Sequence, residues 1–262
     1  MRVISFVNLK GGVGKTVTVI NTAAILDRMH SKRVLIVDAD SQCNLSDFFR
    51  CKATEGVCTT LADALATAPD SGRTAMDAIY ATDYDEIDII QASDRLMGLD
   101  LTRAKSLYTD CLADLARRLR IRGESYDYML IDCPPAFNAA STAALIASDE
   151  VVVPIKLDAF SLRGMANLSR QIANMREINP HLRLAGLLPT MWYRGKPIRQ
   201  AEEALRKSGL PVFSHIRRTP KVDAMTFFGR PLLESSPQCA AQRDYLRFVD
   251  ELVKGGEQNG RV

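Results

Sequence analysis

Two lysines five residues apart, Lys10 and Lys15, frame the run Gly11-Gly12-Val13-Gly14 and are followed at once by Thr16. The run leaves an apolar stretch, Val3-Ile4-Ser5-Phe6-Val7, and enters a segment of helical period. Backbone N–H groups at such a helix start have no partner inside the helix and lie at its positive end, so a polyphosphate is the natural ligand. Glycines let the backbone approach it closely. In the pattern Gly-x4-Gly-Lys-[Ser/Thr], Gly14, Lys15 and Thr16 fit, while Leu9 stands where the first glycine belongs. Lys15 suits the β- and γ-phosphates of a nucleotide, and the Thr16 hydroxyl suits Mg²⁺. That assignment leaves Lys10 without a task in its own loop.

Carboxylates supply the rest of the chemistry. Asp132 closes the apolar run Tyr128-Met129-Leu130-Ile131, the place where a phosphate-loop enzyme holds Mg²⁺ or one of its waters. Taken alone, an Asp in that position could equally cap a helix. Asp38 and Asp40 stand two apart, so at an extended strand end their side chains share a face. Two carboxylates beside a γ-phosphate repel it unless they face metal or water. This assigns Asp40 to orienting the attacking water and Asp38 to the metal shell, with capping of the following turn as the plainer role for either.

Residues so far apart in sequence must be brought together by a scaffold. Strand candidates at 2–8, 33–38, 87–91, 128–132, 150–155 and 184–188, with a weaker one at 212–215, alternate with helix candidates at 15–29, 60–66, 73–80, 103–120, 139–147, 162–178, 198–207 and 238–252. The alternation predicts an α/β fold, a mostly parallel twisted sheet of about seven or eight strands with helices on both faces. In such sheets ligands collect beyond the carboxyl ends of the strands, where the loop at 10–16, Asp38-Ala39-Asp40 and Asp132 all fall. With 262 residues, 47% hydrophobic and 25% charged, the chain can bury a full core. The expected organisation is one phosphate-loop domain over 1–254, a surface loop at 68–72 and a frayed polar tail at 255–262. Six cysteines show no Cys-x-x-Cys pair and no nearby His, which argues against zinc or a redox dithiol. No signal-peptide pattern and no run of eighteen apolar residues is present, so a cytoplasmic protein is expected.

The net charge of +3 conceals two unlike parts, −5 over residues 1–160 and +8 over residues 161–262. The stretch 190–230 carries nine basic residues against Glu202, Glu203 and Asp223. Arg194, Lys196, Arg199, Arg217, Arg218 and Lys221 are the candidates for phosphate contacts to DNA. With no base-reading motif in view, such binding would be non-specific; a solvated face without a partner is the bland alternative. Trp192 and Tyr193, beside Arg194, fit packing or the neighbourhood of a base better than stacking on DNA.

Taken together, Lys10-Gly-Gly-Val-Gly-Lys-Thr16, Val37-Asp38-Ala39-Asp40-Ser41-Gln42-Cys43-Asn44, Thr60-Leu61-Ala62-Asp63-Ala64-Leu65, Ile131-Asp132-Cys133-Pro134-Pro135, Val222-Asp223-Ala224 and Gly229-Arg230-Pro231 resemble the ParA-type plasmid and chromosome partition ATPases. These are deviant Walker A members of the ParA/MinD, SIMIBI-like group of P-loop NTPases, here in the small form without an N-terminal helix-turn-helix. The resemblance implies that ATP or ADP with Mg²⁺ binds to residues 10–17, Lys10 through Val17, with adenine near Met191, Ile216, Arg217 and Arg218. Thr16, Asp38 and Asp132 would serve the metal, and Lys10, Lys15 and Asp40 the catalysis. It makes Lys10 the signature lysine that reaches across a dimer to the partner's phosphates, Asp40 part of the first switch, and Asp132 to Pro135 the second. Hydrolysis would be slow, since no arginine finger is evident in cis, and a ParB-like partner would stimulate it. The ATP homodimer would present two basic patches to one duplex and become nucleoid-associated. Three positions depart from the family pattern: Val17 where a second Thr is usual, Ser41 where Pro is usual, and Ile216-Arg217-Arg218 in place of Ile-Pro-Arg.

Two rivals share the nucleotide site. A MinD-like positioning ATPase would carry a membrane-surface helix at the C-terminus, and 245–254 is amphipathic, but Asp250 and Glu251 and a polar tail make it read as a core-packing helix without stable membrane binding. A P-loop ligase or a reductase of the nitrogenase iron-protein kind would need substrate groups or cluster cysteines. Only Cys111 tempts that reading, since Cys133 is poorly placed beside Asp132.

Overall fold

Strand β1 (Arg2–Phe6) lies in the middle of a seven-stranded sheet, between β5 (Tyr128–Asp132) and β6 (Glu150–Lys156). The computed structural model describes residues 1–51, 58–67, 75–99, 109–122, 126–158 and 165–259. With β2 (Val34–Asp38), β3 (Ile79–Ala81), β4 (Ile87–Ile90) and β7 (Arg183–Thr190), the sheet order is β3-β4-β2-β5-β1-β6-β7. Every pair is parallel except β3 with β4. Parallel strands need crossovers, and helices supply them: α1 (Lys15–His30), α2 (Asn44–Phe49), α3 (Leu61–Ala66), α4 (Cys111–Arg122), α5 (Ala139–Ala147), α6 (Met165–Ile178), α7 (Lys196–Arg206), α8 (Lys221–Phe228), α9 (Leu232–Ser235) and α10 (Ala240–Asn259).

Because successive side chains on a strand point to opposite faces, each central strand feeds two cores. Val3, Leu35, Val37, Met129 and Ile131 pack under α3, α4 and α5 against Leu61, Leu65, Leu112, Leu115 and Ala144. Ile4, Phe6, Val34, Ile36 and Leu130 pack on the other face against Val19, Ile20, Ile25 and Leu26 of α1 and Tyr245, Phe248, Val249 and Leu252 of α10. The apolar face of α10 is thus buried in the core. Among the described residues no helix is long and apolar enough to cross a membrane.

The structure departs from the sequence expectations at several places. Residues 75–78 form a 3₁₀ turn and 79–81 the antiparallel edge strand β3, so the helix expected over 73–80 is absent from its described part; pairing of Ile79 with Ile90 and Tyr80 with Ile89 overrides a weak local pattern. The weak strand at 212–215 touches β7 only at the bridge Leu187↔Val212. Phe213 donates its N–H to Leu187 and Ile216 to Pro189, so three residues on one side span two on the other, and this bulge breaks the ladder. Gly186 belongs to that contact, since a Cβ there would stand 2.6 Å from the Phe213 ring. Helix α10 continues to Asn259 through a stretch expected to fray, and the short helices α2, α8 and α9 were not anticipated. The loop at 68–72 and the first residues of the helices expected at 103 and 162 lie outside the described residues, as does the tail beyond 259.

Candidate functional site

The loop after β1 turns on Gly12 and Gly14, both left-handed at φ 67° and 86°, a conformation that strains any residue with a Cβ. Gly14 is the N-cap of α1, and the space above Gly11, Gly12 and Gly14 is open. Asn8, which sequence reasoning passed over, folds the loop: its Oδ1 accepts from the Lys10 N–H at 2.9 Å and its amide donates to the Pro154 carbonyl. Lys15 points back into the loop, donating to the carbonyl of Asn8 at 3.1 Å. Burial pushes its ammonium below the usual lysine range, against the opposing pull of Asp132 and Asp40. Val13 is tied to the end of β7 by the Thr190 hydroxyl at 2.8 Å. A phosphate chain would meet open backbone N–H groups and a buried lysine poised beneath them.

Lys10 goes elsewhere. Its ammonium leaves the loop and pairs with Asp158, just past β6, with the side chain still 45% exposed. The two lysines therefore occupy different environments, one inside the loop and one on its rim.

Asp38 and Asp132 are register partners at the ends of β2 and β5, side by side and both buried. Asp132 Oδ2 accepts from the Thr16 hydroxyl at 2.6 Å, while its Oδ1 is buried with no partner among the described residues. Burial, then the neighbouring Asp38, raise the Asp132 carboxyl well above the usual range. An orphaned carboxylate oxygen beside a threonine hydroxyl fits a hard cation that takes oxygen ligands, so Thr16 and Asp132 suit Mg²⁺. Among the described residues there is no cluster of three His, Cys, Asp or Glu that could hold a metal by itself. Asp38 is differently engaged: Oδ1 accepts from the Asp40 N–H, and Oδ2 from both the N–H (2.9 Å) and the hydroxyl (2.7 Å) of Ser46 in α2. Burial outweighs these bonds and lifts it to about 6. The capping role weighed for Asp38 is thus present in the structure, directed at α2. Asp40 is half-buried in the turn that follows, where its Oδ1 accepts from Gln42.

Beyond β5, Cys133 is fully buried and its thiol is pushed up to about 12 by burial and Asp132, so it is no ready ligand. Cys111, at the start of α4, is likewise buried and raised to about 12. Neither thiol is poised to hold a cluster.

A cavity of about 320 Å³ opens beside Gly14 and Val17 and is walled by Met191, Ile216, Arg217 and Arg218. The four residues named for adenine are therefore together, next to the phosphate loop, with Tyr193, Pro220 and Val222 as further lining. Met191 holds a left-handed backbone, φ 51°, that directs it there. A larger groove of about 840 Å³ also reaches Thr16 and Val17 but is bounded by α2 and α8 rather than by the loop's glycines. Arg217 is not a free cation: its Nε and Nη2 each meet the buried Asp244 at 2.7 Å, which corrects its place among the DNA candidates. Its guanidinium is fixed by Asp244 and the Ala240 carbonyl. Arg194, Lys196, Arg199, Arg218 and Lys221 are exposed.

Residues 1–184 match a family model described as an AAA domain. Over 97% of its length the chain is 34% identical to the chromosome partitioning protein ParA of Caulobacter vibrioides, 94% of which is covered. Among solved structures, apo McdA from Cyanothece matches with a TM-score of 0.80 and 23% identity, covering 97% of this chain and 99% of that one. Cobyrinic acid a,c-diamide synthase from Mycobacterium smegmatis, with bound ATP analogue and magnesium, matches with a TM-score of 0.77 and 25% identity over 99% and 97% of the two chains. The fold is therefore shared with McdA and with a synthase, and the higher sequence identity is to the chromosome partitioning protein.

Proposed function

The chain belongs to the ParA family of P-loop ATPases, and we propose that it works as an ATP-dependent dimerisation switch for DNA partition. Residues 10–17 hold the phosphates of ATP, and Met191, Ile216, Arg217 and Arg218 the adenine. Mg²⁺, held by Thr16 and Asp132 with Asp38 behind them, neutralises phosphate charge when bound. Asp40, in the turn anchored to Asp38, orients the attacking water. The ATP-bound homodimer binds non-specific DNA through Arg194, Lys196, Arg199, Arg218 and Lys221 and is nucleoid-associated in the cytoplasm. Stimulated hydrolysis, prompted by a ParB-like partner, resets it.

The observation that carries this reading is the separation of the two lysines. Lys15 already serves the loop from within, while Lys10 sits on the rim with its side chain 45% exposed and, among the described residues, Asp158 as the ion-pair partner to release. A charge in that position can complete a neighbour's site at little cost to its own. Light scattering with ATP, ADP and no nucleotide tests it. Lys10→Ala is expected to bind nucleotide but stay monomeric with ATP, and Asp40→Ala to accumulate as a dimer; normal ATP-dependent dimerisation by Lys10→Ala would remove the lysine from this role. Co-sedimentation with duplex DNA and with anionic vesicles tests the output, and retention by vesicles alone would overturn the DNA assignment.

A further inference from the structure

Behind the wall of the 320 Å³ cavity lies a cluster of side chains that no part of the proposed switch uses. Trp192 and His215 stack face to face, ring centroids 4.1 Å apart and planes 3° from parallel. Both point at one carboxylate, Glu202 of α7: Trp192 Nε1 donates to Oε2 at 2.8 Å, and His215 Nδ1 lies 3.0 Å from Oε1. Arg206, one turn on, donates to Glu202 Oε1 at 2.9 Å and to the carbonyl of Phe213 at 3.2 Å. Partial burial alone would raise the Glu202 carboxyl, but His215 and Arg206 hold it below its usual range.

The two aromatic residues belong to the two segments that wall the cavity. Met191 and Tyr193 line it while Trp192, between them, does not; Ile216, Arg217 and Arg218 line it while His215, just before them, does not. Backbone bonds join the segments in register, from the Trp192 N–H to Ile216 at 2.9 Å and from the Arg218 N–H to Trp192 at 2.8 Å. Met191, Tyr193 and residues 216–218 thus border the cavity, while Trp192 and His215 turn back onto α7. We infer that Glu202 is a positioning residue for the nucleotide base: by gripping Trp192 and His215 together it fixes the separation of the two walls. This inference rests on the cavity being the base site and adds what sets its width. A groove for a flat ring depends on such spacing more than on any single contact, and a charge-assisted bond shared by both segments adds a side-chain tie to the backbone bonds that join them.

The test separates base recognition from phosphate recognition. Affinities for Mg–ATP and for Mg-tripolyphosphate, which has no base, are measured by calorimetry on the full chain, wild type and variant. Glu202→Ala is expected to weaken ATP about tenfold, the equivalent of one lost charge-assisted hydrogen bond, and to leave tripolyphosphate unchanged. Retained tripolyphosphate affinity certifies a folded phosphate loop. Trp192→Phe, which keeps a ring on His215 and removes only the Nε1–H bond, is expected to fall between wild type and Glu202→Ala. Trp192 is the single tryptophan of the chain, so its emission should shift with ATP and not with tripolyphosphate in the wild type, and lose that shift in Glu202→Ala. A wild-type preference for ATP that Glu202→Ala leaves intact, or equal losses for both ligands, overturns the positioning role. A wild type that binds ATP no better than tripolyphosphate overturns the base site itself, and the positioning role with it.

Discussion

Ser46→Ala removes one hydroxyl from the centre of the site, and its effect should depend on pH in a way that a packing defect would not. The hydroxyl donates to Asp38 Oδ2 at 2.7 Å and accepts from the Ala92 N–H at 2.9 Å, and both contacts are buried. Asp38 in the folded protein titrates near 6 against an ordinary 3.8, so the folded state holds a proton that the unfolded chain has released. The stability that this proton carries is complete below about 3.8 and is lost as pH rises through 6, a swing of about 3 kcal/mol for roughly two pH units. Ser46 is the largest influence opposing burial at this carboxyl. Without its hydroxyl the carboxyl titrates higher still, and the charged form at neutral pH becomes costlier to keep. At pH 7.5 the substitution is expected to cost about 2–3 kcal/mol, the range for a hydrogen bond to a charged group together with a stranded N–H. At pH 5, where Asp38 is mostly neutral, about 1 kcal/mol is expected on the same scale. Urea unfolding followed by Trp192 emission, with chelator and without nucleotide, measures both. A deficit that is the same at pH 5 and pH 7.5 would refute the reasoning, because the bond would then not be serving a charge.

Asp132→Asn should leave nucleotide binding in chelator close to wild type but abolish the gain from added Mg²⁺, as calorimetry in the two buffers would show; an undiminished Mg²⁺ effect would move the metal away from Asp132. Arg217→Ala strands Asp244, whose side chain is 2% exposed, and should destabilise the fold by about 2–3 kcal/mol, discounted because the arginine is itself partly exposed. Adding Asp244→Asn should recover much of that loss in denaturant titrations, and a failure to recover it would mean that Arg217 acts by packing alone. Gly186→Ala places a methyl where the Phe213 ring stands 2.6 Å away, and a loss of about 1–3 kcal/mol is expected; an unchanged melting temperature would show that the ring can step aside.

The phosphate loop was legible because its chemistry is local. Strand, glycines, Lys15 and Thr16 are adjacent in sequence, and the loop turns at Gly12 and Gly14, where the absence of a Cβ is needed. The carboxylates were legible as strand ends, and the register Asp38↔Asp132 follows from β2 and β5 being neighbours. What could not be read was the use to which each oxygen is put. Asp38 is bound to Ser46, eight residues on, and nothing in the spacing marks a serine in a six-residue helix as its partner. Arg217 looked like a free cation because Asp244 is 27 residues away and meets it only through the fold. The helix expected at 73–80 failed for the same reason, since pairing of 79–81 with β4 is a long-range contact that local pattern cannot weigh. Asn8 carried one signal that was passed over: a buried amide between an apolar strand and a glycine loop must find partners, and here they are the loop's own Lys10 N–H and the Pro154 carbonyl.

The pairing of Asp38 with Asp132 also bears on how a nucleotide would be felt beyond its own contacts. Two buried carboxylates on adjacent strands raise one another, and both stand above the ordinary range. Charging either one raises the other by the same coupling, so the first proton to leave makes the second harder to remove. A dication at Thr16 and Asp132, as proposed, would offset that repulsion by its own field and so favour the charged form of Asp38 as well, and a charged Asp38 grips the N–H and hydroxyl of Ser46 more tightly than a neutral one. Helix α2 and the turn carrying Asp40 hang from that grip. Metal arrival and ordering of the segment that carries Asp40 are then two sides of one protonation equilibrium, and binding that depends on it must strengthen as pH rises through 6.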